Sequence, residues 1–186
     1  MAALLLSFFL MVPLLQSLLF SGKSGGVIEI DKEIRADFIK SDKQILLIYF
    51  GYVGCADVCT PALQKISTLY NSDELKELKK DVDVLFINLT PDTESFGPAL
   101  FAKFFHEDFK GVYLSNKEIL SLDRTFGVFF SKDLNDKTEL NHTDYLYLIE
   151  NRFHSIILKK IYFTHPLSAQ KLIRDIMDLK YSDNLK

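Results

Sequence analysis

Two stretches of the chain are apolar almost without a break. QILLIYF (44–50) and DVLFINL (83–89) have the pattern of strands covered on both faces rather than on one. Between them, TPALQKISTLYNSDELKELKK (60–80) places Leu63, Ile66, Leu69 and Tyr70 at helical spacing, which predicts one helix and a βαβ unit over 44–89. Further strands are expected at VIEI (27–30), GVYLS (111–115), DYLYLIE (144–150) and HSIILKKIYF (154–163), with helices at GPALFAKFF, NKEILSLDRTF and PLSAQKLIRDIMDL. The last two strands read as a hairpin turning through Asn151 and Arg152, and SKDLNDKTELN (131–141) as a polar linker. No internal repeat is visible.

A βαβ unit followed by a ββα unit is the ground plan of a thioredoxin-like α/β fold, a mixed central sheet with helices on both faces. Residues 27–186 suffice for one such domain: the chain is 48% apolar, with 16 Phe and 8 Tyr to fill a core. Ahead of it, MAALLLSFFLMVPLLQSLLF (1–20) carries no charge and matches the roughly 20 residues of a bilayer-crossing helix. It exceeds the roughly 7–15 residues of a signal-peptide core, so an uncleaved hydrophobic anchor helix is expected rather than a cleaved signal. Residues 21–26, SGKSGG, read as a tether. Lys23, Lys32 and Arg35 follow the apolar run and none precedes it, so the orientation is inferred rather than read from charge. The net charge of −3, with lysines spread among acids, excludes a basic footprint for nucleic acid.

The chain has two cysteines, Cys55 and Cys59, both in FGYVGCADVCTPAL (50–63) where the first core strand hands over to its helix. Backbone N–H groups at a helix N-terminus favour negative charge, and thiols there ionise more readily. Thr60 as N-cap with Pro61 at the first helical position gives one start for that helix. A C-x-x-x-C pair with both residues in helical geometry sets its sulfurs side by side one turn apart. The same geometry permits a disulfide, at the long side of the usual range. Iron–sulfur clusters and structural zinc each want about four ligands, whereas thiolates also select Cu(I). Metal and disulfide thus both stand, beside the plain alternative of two buried thiols in a loop. Of four histidines, His106, His154 and His165 read as surface or hydrogen-bonded structural residues. His142, just before an apolar strand, is placed to reach the cysteine end of the sheet.

Three stretches resemble the Sco/SenC family of membrane-tethered, thioredoxin-like copper chaperones. FGYVGCADVCTPAL is similar to its F-G-Y-T-x-C-P-D-V-C-P segment, FINLTPDTES (86–95) falls where it has V-D-P-x-R-D-T, and NHTDYLYLI (141–149) resembles D-H-[ST]-x-x-x-Y-L-I. The resemblance implies Cys55, Cys59 and His142 as ligands of copper, Cu(I) or Cu(II), with Asp57 in a supporting position. It also implies delivery of copper to, or maintenance of the thiols of, the binuclear copper site of cytochrome c oxidase, whose copper-receiving subunit becomes the partner. The implied location is the bacterial periplasm or the exterior face of the inner membrane, rather than the mitochondrial intermembrane space. The chain departs from the family pattern at Ala56, Thr60, Thr90, Thr93, Asn141 and the ENR at 150–152. A metallochaperone turns nothing over. The competing enzyme reading is a thiol–disulfide oxidoreductase with Cys55 and Cys59 as its redox pair; a peroxidase would want an extra Thr and Arg that the loop lacks.

Overall fold

A computed structural model describes residues 26–134, 136, 139–152 and 155–182. The expected segments 1–20 and 21–25 and His154 lie outside the described residues. Among these residues, no helix is long and apolar enough to cross a membrane.

The two continuous apolar runs become β2 (Ile45–Gly51) and β3 (Val82–Asn88), buried at every position. They pair in parallel, as a βαβ unit must, with α1 (Cys59–Tyr70) crossing between them. With β1 (Val27–Ile34), β4 (Lys110–Val112), β7 (Tyr145–Arg152) and β8 (Ser155–Phe163) they form a six-stranded sheet of order β1-β8-β7-β2-β3-β4. Pairing is parallel along β2-β3-β4 and antiparallel elsewhere, so the sheet is mixed.

Strand alternation sorts the core into two layers. Ile45, Leu47 and Tyr49 of β2 face α1, α3 (Gly97–Phe105) and α6 (Ala169–Ser182) through Leu63, Ile66, Ala102, Leu172 and Ile176. Leu46, Ile48 and Phe50 face the other way, onto Ile119 of α4 (Asn116–Ile119) and Leu122 and Phe126 of α5 (Leu122–Phe126). Helices therefore cover both faces, the thioredoxin-like arrangement expected from the pattern.

Four local expectations need correction. The single helix over 60–80 is broken: α1 ends at Tyr70, and after Asn71 a short α2 (Asp73–Lys76) and a 3-10 turn (Lys79–Asp81) follow, because Ser72 takes an extended backbone and restarts the helix. Thr60 does not cap α1. It sits inside the first turn and donates its hydroxyl to the Cys55 carbonyl at 2.9 Å. Asn151 and Arg152 are paired strand residues, with Arg152 opposite Ser155, and so do not form the turn. The polar stretch 131–141 contributes to a two-stranded sheet, β5 (Phe130–Lys132) with β6 (Leu140–His142), whose alternation is too short and too polar to read as strand. That small sheet carries His142.

Candidate metal centre

β2 ends at Gly51, and the chain turns through Val53 and Gly54 before α1. Gly54 takes φ 94°, a conformation that side chains resist, and the turn closes as the Cys55 N–H donates to the Tyr52 carbonyl at 3.2 Å. The loop is pinned to the neighbouring strand by Asn88, which is fully buried. Asn88 Oδ1 accepts the Val53 N–H at 3.1 Å, and its amide donates to the Thr90 carbonyl at 2.6 Å.

α1 begins on Cys59, whose backbone N–H points at Cys55 Sγ, 3.4 Å away. Both thiols are almost fully buried. A Cβ on Gly51 would lie 2.6 Å from Cys59 Sγ, so only glycine leaves room for the sulfur against β2.

His142 arrives from the opposite side, on β6. Its Nε2 lies 3.4 Å from Cys59 Sγ, and one donor atom each from Cys55, Cys59 and His142 fall within 4.8 Å of one another. Among the described residues this is the one His/Cys/carboxylate group gathered in this way. His142 Nδ1 lies 3.0 Å from the Thr143 carbonyl, which can only accept; the Nδ1–H therefore donates there and Nε2 faces the sulfurs. Tyr52 and Tyr49 present their rings edge-on to the imidazole, at 5.9 Å and 6.5 Å between centroids.

The electrostatics are asymmetric. The Cys59 thiol donates toward Cys55 and, against the cost of burial and with help from His142 and the backbone N–H groups of Cys59 and Val58, holds the Cys55 thiol down to about 3. The same contact, then burial, pushes the Cys59 thiol far above its ordinary range. Burial pulls His142 down, but hydrogen bonding to Cys55 and the Thr143 carbonyl more than offsets it, so the ring is raised. The pair thus holds one proton. A lowered native pKa stabilises the fold fully above the unfolded thiol's value, about 8.5, and that contribution is lost as pH falls toward about 3. Thiolate absorbance of the reduced, metal-free protein should accordingly show one thiolate persisting through mildly acidic pH. In Cys59→Ala, which removes the S–H donor, the Cys55 midpoint should rise; an unmoved midpoint refutes the shared proton.

Asp57 lies on the exposed outer side of the same turn, outside the trio. His106 contacts Asn71 and the Asp108 backbone, and His165 bonds Asp144 at 2.6 Å; neither joins the site. Residues that sequence reasoning missed form its support. Tyr49 donates to Asp144 Oδ1 at 2.6 Å, Thr164 donates to the same carboxylate, and Tyr52 donates to Glu139. The available signal was the two tyrosines themselves, polar-tipped residues at the end of an otherwise aliphatic buried run.

The family model described as SCO1/SenC matches residues 36–178. An SCO2-like protein of Rickettsia conorii is 28% identical over 136 residues, covering 69% of this chain and 65% of that protein. The mitochondrial SCO1 homolog of Homo sapiens is 30% identical over 118 residues, covering 59% of this chain and 39% of its own length. The chain therefore spans less than two thirds of either relative. The crystal structure of Arabidopsis thaliana ScoI with copper bound matches with a TM-score of 0.62 at 23% identity, over 75% of this chain and 85% of that one. The matched span runs from just past β1 into α6 and contains both cysteines and the histidine set against them, and the chain belongs to the SCO1/SenC family.

Proposed function

We propose that the protein is a copper metallochaperone that carries one ion between Cys55, Cys59 and His142 and passes it to the copper-receiving subunit of cytochrome c oxidase, or keeps that subunit's thiols reduced. One observation carries the reading: two sulfurs and an imidazole Nε2, its Nδ1 already engaged, lie within 4.8 Å of one another at one end of the sheet. Two thiolates and an imidazole suit Cu(I) and, with added oxygen ligands, Cu(II). Occupancy requires that the Cys59 thiol give up its proton, so loading releases protons. A cleft of about 480 Å³ lined by Phe129, Phe130, Ser131, Asn141, His142 and Thr143 lies on the histidine side of the trio. Asp57 is assigned the supporting role of negative charge beside the loop. Residues 1–20 serve as the membrane anchor, with the domain outside the cytoplasm.

Titration of the reduced protein with Cu(I) should give one ion per chain. His142→Ala should keep the stoichiometry while weakening binding by at least the roughly 10- to 100-fold that loss of a ligand's supporting partner costs. Unchanged affinity in that variant removes His142 from the site.

The single thiolate at Cys55 beside a protonated Cys59 supports a second reading, thiol–disulfide exchange. Cys55 attacks a partner disulfide, one partner thiol leaves, and Cys59 then displaces the second, oxidising this pair and reducing the partner. Metal-free Cys59→Ser should then trap a mixed disulfide; absence of any adduct eliminates this activity.

A further inference from the structure

The strand registers fix which end of the domain the N-terminal segment enters. Gly51, the last residue of β2, precedes the cysteine loop, and Tyr49 pairs with Leu146 near the start of β7. Tyr145 pairs with Phe163 at the end of β8, and Val27 of β1 pairs with Tyr162. The described chain therefore begins, at Gly26, on the same end of the sheet as Cys55, Cys59 and His142; the Gly26 carbonyl accepts the Phe163 N–H at 2.6 Å.

Only residues 21–25 separate that point from the uncharged run 1–20. Five residues reach at most about 18 Å fully extended, less than the roughly 23 Å length of a seven-residue strand such as β2. A domain so tethered presents the near end of its sheet, and not the far end, to the surface in which the run is held.

That near end carries two exposed aromatic rings beside the exposed acids Asp57, Asp92 and Glu94. Phe129 is 69% exposed, and its carbonyl accepts the Thr143 N–H at 2.9 Å, beside His142. Phe96 is 58% exposed at the start of α3, where a Cβ on Gly97 would lie 4.0 Å from Val53 Cγ2 of the cysteine loop. Isolated exposed aromatics are ordinary, but two at the tethered end are apolar side chains of the kind that bury into the boundary between headgroups and acyl chains.

We infer that this rim, with Phe96 and Phe129 at its edges, lies against the bilayer surface, so that the thiol pair and His142 open toward the membrane and not toward bulk solvent. The inference rests on residues 1–20 acting as a membrane segment; it fixes the orientation of the site, which the chaperone reading leaves open. A membrane-bound partner would then meet the site at the headgroup plane.

The chain contains no tryptophan, so single reporters can be introduced without background. The full chain is reconstituted into phosphatidylcholine vesicles, with nitroxide-labelled lipids as quenchers. Phe129→Trp and Phe96→Trp report the near end. Tyr181→Trp reports the far end: Tyr181 is 57% exposed, and its neighbours Leu179 and Lys180 contact Gln44 and Asp81 at the starts of β2 and β3. The expected result is blue-shifted emission and a loss of intensity to headgroup-proximal nitroxides for both near-end reporters, with Tyr181→Trp unaffected. Equal quenching at both ends, quenching of Tyr181→Trp alone, or failure of the chain to float with vesicles overturns the inference. Cu(I) binding is measured on the same samples; a chain that binds one Cu(I) but shows no near-end quenching loses the orientation and keeps the metal reading, whereas near-end quenching without Cu(I) binding does the reverse.

Discussion

Replacing both Cys55 and Cys59 by serine will abolish Cu(I) binding by the folded protein. In the proposed centre the two sulfurs supply the soft donors for Cu(I), and a serine hydroxyl is a hard, weakly acidic oxygen that offers no thiolate equivalent. His142 remains, and so do the Thr143 and Tyr52 contacts that orient it, but one imidazole does not retain the ion against a competing chelator. Serine is close in size to cysteine, so packing changes little at two sites that are almost fully buried. Its hydroxyl at 59 still has the Cys55 side of the turn as a neighbour. The fold should therefore survive, and a chelator-competition titration alongside circular dichroism separates loss of ligands from loss of structure. The single variants distinguish the roles further: Cys59→Ser removes the interior ligand and the S–H donor to Cys55, whereas Cys55→Ser removes the thiolate that faces the helix start. Copper retained undiminished by the folded double variant eliminates the proposed centre.

Most of the sheet was legible because β2 and β3 are buried at every position, and a strand covered on both faces must be apolar throughout. The small β5-β6 sheet was not, since three-residue strands with exposed, polar members carry no period to read. The break after Tyr70 was hidden for a different reason. Leu75 and Leu78 are both buried and stand three apart, a helical spacing of their own, but Leu75 lies nine residues and so about two and a half turns from Ile66, a slip of phase that a reading of spacing within 63–70 ran past.

The grouping of Cys55, Cys59 and His142 was legible and its support was not. The spacing of Cys55 and Cys59 and the position of His142 before β7 are local facts of sequence. That Asp144 receives Tyr49 from β2 and Thr164 and His165 from beyond β8 depends on two strand registers, which no local pattern encodes. The asymmetry of the two thiols was equally hidden. It arises chiefly because the Cys59 S–H donates to the Cys55 sulfur, with the backbone N–H groups of Cys59 and Val58 adding to it, a contact that only the folded turn creates.

Gly51→Ala tests how tightly the sheet and the site are coupled. The added Cβ would meet Cys59 Sγ at 2.6 Å and Phe86 Cε2 at 3.1 Å, both in the buried layer beneath α1. Neither neighbour can retreat freely: Phe86 is fully buried within β3, and Cys59 is the first residue of a helix pinned through Cys55, Thr60 and Val58. Overpacking of this kind costs about 1–3 kcal/mol, and relief comes only by moving the sulfur. The sulfur is a ligand in the proposed centre, so the variant should lose both stability and Cu(I) affinity. A Cys59→Ala background separates the causes, because it deletes the atom that clashes. If Sγ is what Gly51 accommodates, Gly51→Ala should destabilise the parent by about 1–3 kcal/mol and the Cys59→Ala protein by much less, a coupling that denaturant melts of the four proteins measure directly. Equal cost in both backgrounds would assign the glycine to Phe86 packing alone and detach it from the metal centre.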